Sequence, residues 1–137
     1  MSNILLIVDG GSRGNPGPIY GAYYFEVPNG DFVVTGGPAI TEFGEDGTNN
    51  DAEYRAMVLG LDAVATYLNG SAKPLHEFNL VLLSDSQLVV NQVLGVYQVR
   101  AEKFLELKER VLDRLFSFRT FTVQWVPRDI TNAYLGC

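Results

Sequence analysis

The chain is 137 residues long, with a formal net charge of −6 and a single cysteine, Cys137. A domain of that length buries roughly two thirds of its unfolded surface without staples, and one cysteine excludes both an internal disulfide framework and a cysteine-built zinc site. The acidic balance excludes a protein that grips nucleic acid by bulk electrostatics, so an anionic partner has to be held by local contacts or metal ions.

The first element is an unbroken apolar run over residues 4–8, ILLIV, that ends at Asp9. Such a run predicts a strand covered on both faces, in the middle of a sheet. Gly10, Gly11, Gly14 and Gly17 follow, and they let the backbone come close to something bulky. Residues 20–27 and 31–37, rich in Tyr, Phe and Val, predict two strands joined by a hairpin turn at Pro28-Asn29-Gly30. Residues 36–47 read as loop. Thr48-Asn49-Asn50-Asp51-Ala52-Glu53 opens a helix that runs to about Leu68, with Asn50 as its N-cap and Met57, Leu61, Val64 and Leu68 along one face.

Residues 69–74 break that helix, and 78–83 form a second apolar strand that leads into Ser84-Asp85-Ser86. A short helix from Gln87, an amphipathic helix over about 101–116 and an aromatic strand over 118–126 follow, and the last ten residues have room for one or two helical turns. Tyr20, Tyr23, Tyr24, Phe25, Phe32 and Trp125 are expected in the core or in cross-strand pairs, and His76 at the surface. A hairpin meander followed by strand–helix alternation implies a mixed sheet with helices on its faces. Ligands of such sheets bind beyond the carboxyl ends of the parallel strands, where Asp9 and Asp85 fall.

Each carboxylate has two readings. Asp9 opens a turn or binds a ligand; Asp85 caps a helix or does the same. Glu53 either completes a capping box with Asn50 or, four residues before Met57, points inward from the first turn. Together the three are a stronger signal than any one, because two apolar strands end in aspartate and one helix begins with an inward glutamate. Clustered carboxylates repel unless something positive lies among them. No lysine or histidine adjoins them in sequence, so a divalent cation is the natural partner, and oxygen-only ligands favour magnesium or manganese. Two such ions about 4 Å apart clamp both oxygens of a phosphodiester displacement.

Asp9-Gly10-Gly11-Ser12-Arg13-Gly14-Asn15-Pro16-Gly17-Pro18, Thr48-Asn49-Asn50 with Glu53, and Asp85-Ser86-Gln87 together resemble ribonuclease H of type 1, in order and spacing. The resemblance spans nearly the whole chain. It implies a ribonuclease H fold over residues 1–137 as one domain: a five-stranded mixed sheet of order 3-2-1-4-5, strand 2 antiparallel, with helices on both faces. It implies hydrolysis of the RNA strand of an RNA/DNA hybrid with two magnesium ions, manganese able to substitute, leaving 5′-phosphate and 3′-hydroxyl ends. Asp9, Glu53 and Asp85 match its metal-binding catalytic carboxylates. Gly10, Gly11, Ser12, Arg13, Asn15, Asn49, Asn50, Ser86 and Gln87 match substrate-binding positions, where short neutral groups suit 2′-hydroxyls; Thr48 matches a residue that seats a DNA-strand phosphate.

The tail departs from the family pattern. Where a fourth aspartate and a nearby histidine are usual, the chain reads Pro127-Arg128-Asp129-Ile130-Thr131-Asn132. Asn132 is the first candidate for the fourth catalytic, metal-binding position and Asp129 the second. Three carboxylates then leave one metal site weaker, and a preference for manganese or high magnesium is expected. The basic protrusion of some family members is also absent; the interspersed charges between Gln87 and Phe116 read first as a solvated amphipathic face, with Arg100 and Lys103 the cations to test for substrate contact. The alternative is a catalytically weak or inactive hybrid-binding module. A sugar-kinase-like phosphotransferase needs a second such half, and a DNA-cutting relative is disfavoured by Asn15, Asn49 and Asn50. No apolar run is long enough to cross a membrane and no secretory signal pattern opens the chain. A cytoplasmic monomer with no obligate protein partner is expected.

Overall fold

The computed structural model describes residues 3–14 and 16–136. Strands β1 (Asn3–Ser12), β2 (Gly17–Asn29) and β3 (Phe32–Gly47) precede helix α1 (Asn49–Gly70); β4 (Asn79–Ser84), α2 (Gln87–Val93), α3 (Glu102–Leu115), β5 (Thr120–Trp125) and α4 (Arg128–Leu135) follow. The sheet order is β3-β2-β1-β4-β5. β2 runs antiparallel to β1 and β3, whereas β4 lies parallel to β1 and β5.

β1 sits in the middle because both its faces are apolar. Ile4, Leu6 and Val8 join the main core with Met57, Leu61, Val64 and Leu68 of α1, Leu107, Val111 and Leu115 of α3, and the buried valines of α2. Ile7 belongs to the opposite face, where Ala22 and Leu135 of α4 form a smaller cluster with Leu5, Tyr24 and Leu83 packed against it. Three helices thus cover one face and α4 alone the other. Among the described residues no helix is long and apolar enough to cross a membrane.

Four expectations shift. Residues 36–47 are strand rather than loop: β3 continues to Gly47, with Ala22 opposite Ile40 and Tyr20 opposite Glu42. The glycines and proline at 36–38 are absorbed by a register shift between Tyr23 and Phe25, and a Cβ on Gly36 would collide with the Phe25 ring at 2.2 Å. The hairpin turn moves one residue on, since Asn29 pairs with Phe32 and leaves Gly30 and Asp31 as the loop. The N-cap of α1 is Thr48, not Asn50. Thr48 N donates to Asp51 Oδ2 at 2.8 Å in a Thr48–Asp51 capping box, which releases Glu53 to face inward. Finally, Phe32 is 78% exposed at the hairpin tip and Trp125 is 43% exposed. Trp125 has the inward phase of Val123, but it lies at the last residue of an edge strand, beyond the helices that cover Val123.

The closest backbone approach in the core is at the end of β1. A Cβ on Gly10 would stand 2.2 Å from Ala52 O and 2.5 Å from Glu53 N, both backbone atoms. Neither can swing aside. Gly10→Ala is therefore expected to cost about 1–3 kcal/mol or more, as overpacking does, read as a lower urea midpoint with an unchanged m-value.

Candidate active site

The parallel register of β1 and β4 pairs Val8 with Ser84. The next residue on each strand is an aspartate, so Asp9 and Asp85 emerge side by side at the carboxyl ends of adjacent strands. Glu53 enters from α1, brought close by the missing side chain at Gly10. Ligand atoms of Asp9, Glu53 and Asp85 all lie within 4.8 Å of one another. They line a cleft of about 340 Å³ with Gly10, Gly11, Ser12, Tyr20, Asn49, Asn50, Ser86 and Arg128.

Glu53 is only 3% exposed. Its Oε2 accepts the Gly10 amide at 2.9 Å and its Oε1 accepts the Ser84 hydroxyl at 2.5 Å. Burial still pushes its carboxyl up to about 8, against the lowering by Ser84 and Gly10 and with Asp9 and Asp85 adding repulsion. Burial also raises Asp9 to about 6, with the Asp85 charge adding to it and Arg128 opposing. Asp85 is held by the Thr131 hydroxyl, which donates to Oδ2 at 2.7 Å, and by Arg128 Nε at 3.5 Å. One buried and two half-buried carboxylates with no lysine or histidine among the described residues of the cleft suit a hard divalent cation, so the residues present fit magnesium or manganese.

The substrate-binding expectations divide. Asn49 Oδ1 accepts the Ser12 amide at 3.0 Å, which fixes the Asn49 amide group at the cleft wall. The Ser12 hydroxyl has Gly14 O and, at 2.9 Å, Gly47 O within reach as acceptors, so it sits between the glycine loop and the start of α1. Arg13 turns away from the cleft, pairing with Glu42 at 2.9 Å and lying over the Tyr20 ring. Ser86 lines the cleft and also caps α2 through Val89 N. Gln87 is exposed on α2 and is not among the cleft-lining residues. Asn15 lies outside the described residues. Thr48, Asn49 and Asn50 share a neighbouring depression with Lys103 and Phe104. Lys103 Nζ sits 2.7 Å from the buried Asp51.

For the fourth position, Asn132 is half-buried and Asp129 exposed on α4, and neither is among the cleft-lining residues. The α4 residues that reach the carboxylates are Arg128 and Thr131. Sequence reasoning missed both, along with Ser84 and Tyr20. The signal for Ser84 was its phase: Leu80, Leu82 and Ser84 alternate onto one face, so its hydroxyl had to point into the core beside Glu53.

The chain matches no family model. The bifunctional protein Rv2228c of Mycobacterium tuberculosis is 35% identical over 126 residues, 91% of this chain and 31% of that protein. Ribonuclease HI of Halobacterium salinarum is 32% identical over 120 residues, 88% of this chain and 54% of that protein. The chain thus spans about a third and about half of the length of these two curated relatives. The solved N-terminal ribonuclease H domain of Rv2228c superposes with a TM-score of 0.77 at 30% identity, covering 98% of this chain and 88% of that one. Ribonuclease H1 of Halobacterium salinarum gives 0.75 at 29% identity, covering 95% and 89%. The LC11 ribonuclease H1, crystallised in complex with an RNA/DNA hybrid, shares the fold with a TM-score of 0.71 at 23% identity, covering 96% and 90%.

The raised carboxyls link stability to pH with a defined sign. A carboxyl raised on folding stabilises the protein while protonated, and that contribution is lost as pH climbs through the folded value. For Asp9 the loss runs from 3.8 to about 6, and for Glu53 from 4.5 to about 8. In chelator the Tm is expected to fall from about pH 4 to about pH 9, and Glu53→Gln to remove the upper part of the fall. Added manganese is expected to raise the Tm more at high pH than at low pH. Thermal scans across pH, with and without the ion, check all three.

Proposed function

The chain belongs to the ribonuclease H family, and on that premise we propose that it is an endonuclease that hydrolyses the RNA strand of RNA/DNA hybrids. Residues 1–137 act in this reading as one ribonuclease H domain. The observation that carries the proposal is the convergence of Asp9, Glu53 and Asp85 from β1, α1 and β4, with ligand atoms within 4.8 Å. These residues would hold the divalent ions, magnesium or manganese, which supply activation of water and charge neutralisation at the leaving 3′-oxygen. Products carry 5′-phosphate and 3′-hydroxyl ends.

The protein's own part is positioning. Gly10 and Gly11 keep the cleft floor free of side chains, so a sugar-phosphate backbone approaches the carboxylates. An amide group whose oxygen is engaged by Ser12 N offers its NH₂ to the cleft, and Asn49 is so arranged. Asn49 and Asn50 are neutral donor–acceptor groups that suit 2′-hydroxyls in a minor groove, which distinguish RNA from DNA. Ser84 holds Glu53 in place with its hydroxyl. Thr131 does the same for Asp85.

One observation favours a second reading, a hybrid-binding module with weak or no turnover. The carboxylates lining the cleft among the described residues are three, and the groups that α4 brings to them are a guanidinium and a hydroxyl.

The deciding measurement is cleavage of a labelled RNA/DNA hybrid across manganese and magnesium titrations, with duplex DNA and duplex RNA as controls. Cleavage confined to the RNA of the hybrid is expected, strongest in manganese or high magnesium, and absent in Asp9→Asn. Ser84→Ala is expected to lose about 10–100-fold in activity, as loss of a group supporting a metal ligand does. Tight hybrid binding without cleavage at any metal concentration would leave the second reading standing.

A further inference from the structure

Arg128 is the cation among the described residues of the carboxylate cleft. Arg128 and Thr131 stand three residues apart on α4 and so share one helix face. Both address the same oxygen: Thr131 Oγ1 donates to Asp85 Oδ2 at 2.7 Å, and Arg128 Nε lies 3.5 Å from it. Thr131 is buried, whereas the Arg128 side chain is 75% exposed. Asp85 Oδ2 is thereby engaged by both α4 side chains. Arg128 lines the cleft, and its guanidinium is a planar fork of a kind that matches a phosphate.

Formal charge points the same way. Three ionised carboxylates are balanced by one divalent ion and one guanidinium. A second divalent ion beside Arg128 would leave two excess positive charges until an anionic substrate arrived, a repulsive arrangement in a partly desolvated cleft.

We propose that Arg128 is the built-in counter-charge of this site: it stands in for part of a second cation, so that the protein alone holds one divalent ion tightly, and it receives the substrate phosphate. This rests on the nuclease reading above. Arg128 acts on metal binding through Asp85 and the local field, as a positioning residue, and on substrate by direct contact.

The test uses manganese alone as the first probe. Calorimetry and the electron paramagnetic resonance of free manganese give stoichiometry and affinity for the wild type, Arg128→Gln and Arg128→Lys, without nucleic acid. One tight ion is expected in the wild type. Arg128→Gln is expected to bind it roughly five-fold tighter, since a repelling charge is gone, with the gain shrinking at higher salt. Arg128→Lys is expected to return to the wild-type value. In chelator, anisotropy of a labelled hybrid is expected to show roughly ten-fold weaker binding by Arg128→Gln, the loss of a charged hydrogen bond.

Opposite movements of metal and hybrid affinity mark a charge role, because a merely structural role would weaken both and lower the Tm. Two equally tight ions in the wild type, or manganese affinity unchanged or weakened in Arg128→Gln, would overturn the proposal. An unchanged hybrid affinity would remove the phosphate contact. Wild-type protein that never cleaves hybrid would sink the nuclease reading instead, and the manganese comparison would still decide the role of Arg128.

Discussion

A carboxylate stripped of water has to be answered by something, and Glu53 is answered only in part. It receives one amide and one hydroxyl and no cation, and the result is an acid that gives up its proton at about 8. The cost of burying such a group is large unless a partner arrives. The features around it read as consequences. Gly10 has no side chain because α1 must lie against β1 closely enough for the Gly10 amide to reach the acid. Ser84 replaces an apolar residue in the inward phase of β4 because an acid oxygen needs a donor there. The Thr48–Asp51 cap starts α1 two residues ahead of Asn50 and so turns Glu53 into the interior instead of back onto the helix end.

Much of this was legible before any coordinates. The run ILLIV predicts a central strand because neither face of it carries a polar residue, and β1 is central. The matching run before Ser84 predicts its parallel neighbour, and the pairing of Val8 with Ser84 follows from that. Glu53 was legible through its phase with Met57. What failed were judgements that depend on the partner strand or helix. Gly36, Gly37 and Pro38 break strands in isolation, but β2 accommodates them with a shifted register, and Phe25 needs the space over Gly36. Trp125 has core phase and no core above it.

The tail was the least legible part of the site. A search for a fourth ligand looks for acids and amides, and Asn132 and Asp129 meet that description. Folding presents a different pair, Arg128 and Thr131, because a two-turn helix packed through Leu135 on the second face of the sheet offers Asp85 one of its faces. Which face that is depends on where Leu135 docks, and a helix of eight residues is too short for its periodicity to say.

The groups that converge come from residues 9, 53, 85, 128 and 131, so the site draws on the first strand and the last helix alike. A ribosome delivers them in that order, so the three carboxylates are made before the two groups of α4. Until α4 docks, the smaller core beneath Ile7 and Ala22 lacks Leu135, and Asp85 lacks its hydroxyl and its guanidinium. The half-made chain is then a cluster of mutually repelling acids at the end of an incomplete sheet. Completion of the site thus waits on the last helix: docking of Leu135 beneath Ile7 and Ala22 closes the smaller core and delivers the hydroxyl and the guanidinium to Asp85 in one event.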